Sequence, residues 1–367
     1  MEEYFMLLAA IYWDPDPVAF KIPFIQHPVV WYGVLFAFGF LLGHYLLRYL
    51  YNSYIRSRPE ITEFEIHNWL LYAEIFEKTP SLNTQLSSKS QKELKNSLKK
   101  KHIDPSLQST LHKGMQQYIA AHPDTTREKL EALFSGAVHT SKESAFHLVD
   151  RLTWYVVVAT ILGARLGHML FYDLDLLLAD PLVFFRTWEG GLASHGAAAG
   201  IIISLILYER KTVKEFPYIR TLFVLDTLAI PTALVGAMIR LGNFINQEIV
   251  GIPSDAPWAV LFGHPREGLV AVPRHPVQLY EAIAYFCSFF ILLGLWKKFS
   301  FKFNGFLIGV FFLLIFGSRF FLEYLKVPQS EFIHEGSFLL MGQWLSIPFI
   351  VTACVLIWKN LRKALQT

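Results

Sequence analysis

The sequence predicts an all-α integral membrane protein of seven transmembrane helices, carrying a helical insert on its cytoplasmic side. Three observations predict it. Of 367 residues, 53% are hydrophobic and only 17% charged, with a mean hydropathy of +0.35, whereas a soluble domain carries about 25% charged residues. Apolar runs recur along the chain, each close to the ~20 residues that cross the hydrocarbon of a bilayer. Counting seven of them puts four basic clusters on one side of the membrane.

The runs are Val29–Tyr49, Arg151–Phe171, Leu192–Tyr208, Thr221–Arg240, Pro276–Trp296, Phe303–Tyr324 and Phe338–Trp358. Arg48, Arg56 and Arg58 follow the first, and Arg210, Lys211 and Lys214 follow the third. Lys297, Lys298 and Lys302 follow the fifth, and Lys359, Arg362 and Lys363 the seventh. Basic loops stay in the cytoplasm, so the C-terminus is cytoplasmic and the acidic N-terminus lies outside. Arg240, the segment Leu241–Pro273 and the segment Lys326–Ser337 then belong to the outer face. The first 28 residues contain Glu2, Glu3, Asp14 and Asp16 and lack a basic n-region, which argues against a cleavable secretory signal.

The chain divides into residues 1–59 with the first span, a polar insert over 60–150, and a six-helix core over 151–367 that forms one membrane domain with the first helix. In the insert, Phe64, Ile66, Trp69, Leu70 and Ile75 suggest an amphipathic helix, and Leu130, Leu133 and Phe134 a second. The rest is expected to be helical or partly disordered. Its run Lys95, Lys99, Lys100, Lys101 reads first as a solvated face, with contact to anionic lipid as the alternative. Cys287 and Cys354 sit inside apolar runs and are expected to be buried thiols. A net charge of +3 suggests no nucleic-acid partner, and no internal repeat is evident.

Chemistry concentrates in polar groups beside or within the spans. Arg165 and His168 lie in GARLGHMLFY, and His195 in GGLASHGAAAG. Arg240, Asn243, Asn246 and Glu248 lie in RLGNFINQE, followed by Gly251. Arg274 and His275 precede the fifth span, with Glu281 inside it. Arg319 and Glu323 stand at i, i+4 in the sixth, followed by Lys326, and Tyr32 lies in the first. Each has a plain alternative: a snorkelling Arg240, a structural Arg319–Glu323 ion pair, a packed His195. The small residues around His195 serve either close helix packing or the approach of a lipid. Together the residues say more, because His195, Arg240, Arg274 and Glu248 all fall toward the outer half of the membrane. An arginine at that depth is costly unless something offsets it, and its planar fork suits phosphate oxygens. Arginines on a phosphate ester stabilise charge on a phosphate leaving group; a histidine nearby takes a proton from an incoming nucleophile. Such a site needs neither metal nor nucleotide cofactor. The sequence has no G-x-S-x-G, H-E-x-x-H or Walker loop.

These residues resemble the prolipoprotein diacylglyceryl transferase family of bacterial inner membranes. RLGNFINQE at Arg240–Glu248 is similar to the family's signature. WYG at Trp31–Gly33, GARLGHMLFY, His195–Gly196, RHPVQLYE at Arg274–Glu281, the Arg319–Glu323 pair and MGQWLSIP at Met341–Pro348 support it. The resemblance implies transfer of the diacylglyceryl group of phosphatidylglycerol to the lipobox cysteine of a preprolipoprotein signal peptide, with release of glycerol phosphate. It implies seven spans, a periplasmic N-terminus and an active site toward the periplasm. It also implies that His195, Arg240 and Arg319 are catalytic, and that Tyr32, Asn243, Glu248, Gly251 and Glu323 match further functional positions. Asn246 and Arg274 join them as candidate substrate contacts. On that reading Arg240 and Arg319 hold the phosphate, while His195 is either the base or an orienter of the headgroup. The chain departs from the family's pattern at Ala197, Ile239, Ile315 and Lys326, and in its large insert. The competing reading is a transporter or flippase for an anionic lipid, since buried arginines also mark anion pathways. Transporters of that kind usually show inverted repeats.

Overall fold

The structure, a computed structural model, describes residues 11–24, 26–57, 65–186, 190–214, 216–265, 268–299, 304–327 and 338–366. Glu2, Glu3, Arg58, Phe64, Lys302, Phe303 and the segment 328–337 lie outside them. In chain order the described elements begin with β1 (Ile11–Trp13), β2 (Val18–Lys21), β3 (Pro28–Val30) and α1 (Trp31–Arg56). The insert contributes α2 (Trp69–Lys78), α3 (Pro80–Asn83), α4 (Ser88–Lys100), α5 (Pro105–Ala121) and α6 (Arg127–Leu133). Then come α7 (Ser141–Phe171), α8 (Leu174–Ala179), a 3-10 turn at Pro181–Phe185, α9 (Ser194–Thr212) and α10 (Thr221–Ile245). The chain ends with β4 (Val260–Phe262), β5 (Pro273–Arg274), α11 (Val277–Phe299), α12 (Phe306–Leu322) and α13 (Met341–Ala364).

Among the described residues, six helices are long and apolar enough to cross a membrane: α1, α7, α10, α11, α13, and α12 extended to Leu325. The third predicted span appears as α9, 19 residues long, whose last two turns carry Glu209, Arg210 and Lys211. Large apolar side chains face outward along these helices, Phe38, Trp154, Ile202, Phe290, Phe321 and Trp344 among them, as lipid-facing surfaces require. Cys287 and Cys354 are exposed on this outer face, not buried as the sequence suggested. A helix apolar all round carries no pattern that separates its lipid-facing side from its packed side. The all-α membrane architecture fits the expectation, and two small sheets add to it outside the spans. β1 pairs parallel with β4, β4 antiparallel with β5, and β2 with β3 as an antiparallel pair. Strands of two to four residues are too short to show alternation in a sequence.

The chain forms two compact units. One holds the chain up to Leu47 and from Leu222 onward; the other is Arg48–Thr221. In the first, α10 is the most enclosed span. Its Asp226 accepts hydrogen bonds from the backbone N–H of Gly305 at 2.6 Å and Ile308 at 2.8 Å, satisfying two orphan donors at the start of α12. Trp13 stacks on Phe244 at 4.6 Å and donates to its carbonyl at 3.1 Å. This ties β1 to the end of α10, beside a small core of Val250, Val260 and Phe262.

In the second unit the insert is helical from Trp69 onward, around a core of Tyr72, Phe76, Leu82, Leu94, Leu107, Leu111 and Phe134. Lys89, Lys92, Lys95, Lys99, Lys100 and Lys101 are exposed, while Leu94 of the same helix is buried. Thr140 and Glu143 form a capping box that starts α7. Helices α7 and α9 meet backbone to backbone. A Cβ at Gly196 would lie 2.3 Å from the Gly163 carbonyl oxygen, and one at Gly200 would lie 2.2 Å from that of Ala159. Gly196 and Gly200, which follow His195, therefore serve close helix packing.

Candidate active site

Helix α10 runs five residues beyond the predicted end of its span, to Ile245, so Arg240 and Asn243 share one helix face at i, i+3. Arg240 Nη1 donates to Asn243 Oδ1 at 3.1 Å. Asn243 Nδ2 donates to Glu248 Oε2 at 2.9 Å, and Asn246 Nδ2 to Glu248 Oε1 at 3.3 Å. Gln278 of α11 donates to the Glu248 carbonyl at 2.7 Å. Glu248 is thus locked from two directions. Its neighbours Gln247 and Ile249 both have left-handed backbones, at φ 55° and 56°. A β-branched residue there is an outlier, and such strain costs of order 1–3 kcal/mol per residue. The surrounding bonds hold it in place.

Behind this face lies a buried charge network that the sequence did not disclose. Glu281 of α11 is fully buried. Its Oε2 sits 2.9 Å from Arg240 Nε, and its Oε1 accepts from Lys326 Nζ at 2.8 Å. The Arg240 contact is ionic, with the N–H not aimed at the oxygen. Lys326 also pairs with Glu323 Oε2 at 3.2 Å, and Glu323 Oε1 accepts from the Gly342 N–H at 3.1 Å. Glu323 is therefore engaged by Lys326 and the start of α13, and the i, i+4 ion pair with Arg319 is not formed. Arg319 Nε is buried without a hydrogen-bond partner among the described residues. Tyr285 of α11 lies within electrostatic reach of both Arg240 and Arg319.

Gly251 is where the backbone closes over the site. Its N–H donates to the His275 carbonyl at 3.2 Å, and it bridges Lys326. Arg274 Nη1 donates to the Gly251 carbonyl and Nη2 to that of Val270, both at 3.2 Å. Arg274 acts in the structure as a backbone clasp. A Cβ at Gly251 would stand 2.3 Å from the His275 carbonyl oxygen. Gly251→Ala is expected to lose about 1–3 kcal/mol, the usual cost of overpacking, read as a lowered thermal midpoint in detergent. Tyr32 approaches the signature helix over Gly242, where a Cβ would meet the Tyr32 Cα at 2.8 Å.

Beside Asn246 lies a cavity of about 460 Å³ lined by Asp14, Asp16, Gln247 and His264 among others. Hydrogen bonds from His264 and Gln247 hold the Asp14 carboxyl below the usual carboxylate range.

His195 belongs to the second unit and is the second residue of α9. Its ring meets Phe171 edge-on at 5.0 Å and Tyr172 at 5.9 Å. His168 contacts Asp173 through Nε2 at 2.9 Å. Arg165, a candidate anion ligand by depth alone, is instead saturated by backbone carbonyls.

Of the sequence candidates, Arg240, Asn243, Asn246 and Glu248 form one hydrogen-bonded chain, and Glu323 joins it through Lys326 and Glu281. The sequence reading named Glu281 and Lys326 without assigning them roles. Their signal was available: a carboxylate and a cation beside the spans, each needing a partner.

The family model described as prolipoprotein diacylglyceryl transferase matches residues 131–359. A phosphatidylglycerol–prolipoprotein diacylglyceryl transferase of Protochlamydia amoebophila is 39% identical over 359 residues, covering 96% of each chain. That coverage leaves too little unmatched to omit the insert. Enzymes of the same name from Tolumonas auensis and Chloroherpeton thalassium are 45% and 41% identical, covering 57% and 59% of this chain and 77% and 78% of their own. With the apolar helices, the charge network on the signature helix and these matches in hand, the chain belongs to the prolipoprotein diacylglyceryl transferase family.

Proposed function

We propose that this protein transfers the diacylglyceryl group of phosphatidylglycerol to the lipobox cysteine of preprolipoproteins, at a site toward the periplasmic side of the bacterial inner membrane. The frame is seven spans, α9 being the seventh, with the N-terminus periplasmic and the C-terminus cytoplasmic. The observation that carries the reading is Arg319. Its Nε–H is buried without a partner among the described residues, while the carboxylates Glu281 and Glu323 are engaged by Lys326. A buried guanidinium N–H left in that state calls for an acceptor, and the lipid phosphate supplies it.

In the reaction, the thiol sulfur attacks the glyceryl carbon and the carbon–oxygen bond to phosphate breaks. Glycerol phosphate leaves with the bonding electrons, and the thiol proton passes to a base. Arg240, oriented by Glu281 and Asn243, shares the phosphate with Arg319. Asn243, Glu248 and Asn246, joined in one hydrogen-bonded chain, line the place of the glycerol headgroup, and Tyr32 borders it.

The test incubates purified protein with phosphatidylglycerol and a lipobox peptide and weighs the peptide. A gain of one diacylglyceryl mass is expected, and a flippase produces none. His195→Gln should slow transfer by about 10²-fold if it acts as the base. The loss should shrink as the pH approaches the thiol's ordinary pKa of about 8.5. A pH-independent loss assigns His195 to orientation instead.

A further inference from the structure

A side chain outside the charge network does something its charge does not suggest. Arg165 lies in α7 and is 2% exposed. Its Nε donates to the Phe184 carbonyl at 3.0 Å. Nη1 donates to Gly190 at 2.5 Å and Gly191 at 3.2 Å; Nη2 donates to Val183 at 2.5 Å and Arg186 at 3.1 Å. A guanidinium has five N–H donors, and here each is matched to a separate carbonyl. Nothing is left for an anion.

The five carbonyls belong to the connection between α8 and α9, on both sides of residues 187–189. That connection carries Leu182 and Phe185, each about 70% exposed, so it presents apolar side chains outward. Carbonyls in such a segment must find donors within the protein. Arg165 supplies them all from one point, and the connection is thereby referenced to α7. Gly191, at φ +76°, rests directly on the clasp: a Cβ there would meet His168 Cδ2 at 2.6 Å and Arg165 Nη1 at 2.7 Å. Two residues later the Ala193 N–H donates to the Ala164 carbonyl at 2.9 Å, next to Arg165 in α7. His195 follows two residues after that, its ring against Phe171 and Tyr172 at the end of the same α7.

We infer that Arg165 is a positioning residue that fixes the connection on both sides, at 183–186 and 190–191, and through the latter the start of α9, so that His195 is presented in one orientation. This rests on the proposed role of His195 in the transfer. Arg165 does not contact the lipid phosphate.

The experiment uses the full-length protein in phosphatidylglycerol nanodiscs with a lipobox peptide. It compares wild type, Arg165→Lys, His195→Gln and the double variant, with Arg240→Ala as a reference for lost lipid binding. Lysine keeps the charge but has three donors on a tetrahedral head, so at least two carbonyls lose their partner. Arg165→Lys is expected to lower kcat by about 10²-fold, the scale of a small misplacement remote from the chemistry. KM for the lipid and lipid binding should stay near wild type. Hydrogen exchange over 180–195 should rise. In the His195→Gln background the same change should cost little more, since both act on one group.

An unchanged kcat in Arg165→Lys overturns the inference. So does a loss of lipid binding like that of Arg240→Ala, which makes Arg165 an anion ligand. A full multiplicative loss in the double variant overturns it too, by placing the effect elsewhere. Full activity of His195→Gln alone sinks the role given to His195, and is read separately from any change at Arg165. Should Arg165→Lys not fold, Gly191→Ala carries the test from the other side of the clasp, with the same expected fall in kcat at unchanged lipid binding. A Gly191→Ala protein that folds with full kcat also overturns the inference.

Discussion

Glu281→Ala is expected to lose about 3–5 kcal/mol of stability, the cost of leaving buried charges without their partner. Two cations depend on this one carboxylate. Lys326 Nζ reaches Oε1 at 2.8 Å and Arg240 Nε approaches Oε2 at 2.9 Å, with Glu281 fully buried. Removing it leaves Lys326 with Glu323 alone and Arg240 with the neutral Asn243 amide, and transfer should fall with the fold. Arg240→Ala is different in kind. It leaves Glu281 still paired with Lys326, so the protein should fold while its chemistry fails. The ordering of thermal midpoints is the check: wild type and Arg240→Ala close together, Glu281→Ala well below. If Glu281→Ala melts with the wild type, the network is not what holds the ends of α10 and α11 together.

Arg240→Ala and Arg319→Ala are each expected to lower kcat for thioether formation by about 10²–10³-fold, the range for losing one donor to a developing oxyanion. Arg319→Ala should be tolerated for stability, or even improve it, because its Nε–H has no partner to lose among the described residues. Arg319→Lys should rescue little, since the fork that grips two phosphate oxygens is gone. Product mass and a melting curve on the same preparations separate the two effects. An Arg319→Ala protein with undiminished turnover would remove the phosphate clamp from the mechanism.

Most of the frame was legible because bilayer crossing imposes a length and a composition that no packing detail overrides. The signature arginine and its amides were legible as polar groups where lipid was expected. What stayed hidden depended on contacts distant in sequence. Lys326 meets Glu281 across 45 residues, and no local pattern announces that pairing. Reading Arg319 and Glu323 as a helical ion pair followed from their spacing, but Lys326 and the start of α13 take Glu323 first. Arg165 looked like its fellow arginines by depth and differs only in what it touches. The two cysteines failed for a related reason: hydropathy alone cannot distinguish a side chain facing lipid from one facing another helix.

The glycine contact between α7 and α9 bears on how substrates travel. Where a missing methyl lets one helix's carbonyl oxygen occupy the space its neighbour's Cβ would fill, no gap is left for an acyl tail. Lipid and prolipoprotein must both arrive by routes that avoid that line. A bulkier residue at Gly163, Gly196 or Gly200 would prise apart a boundary through which no traffic should pass.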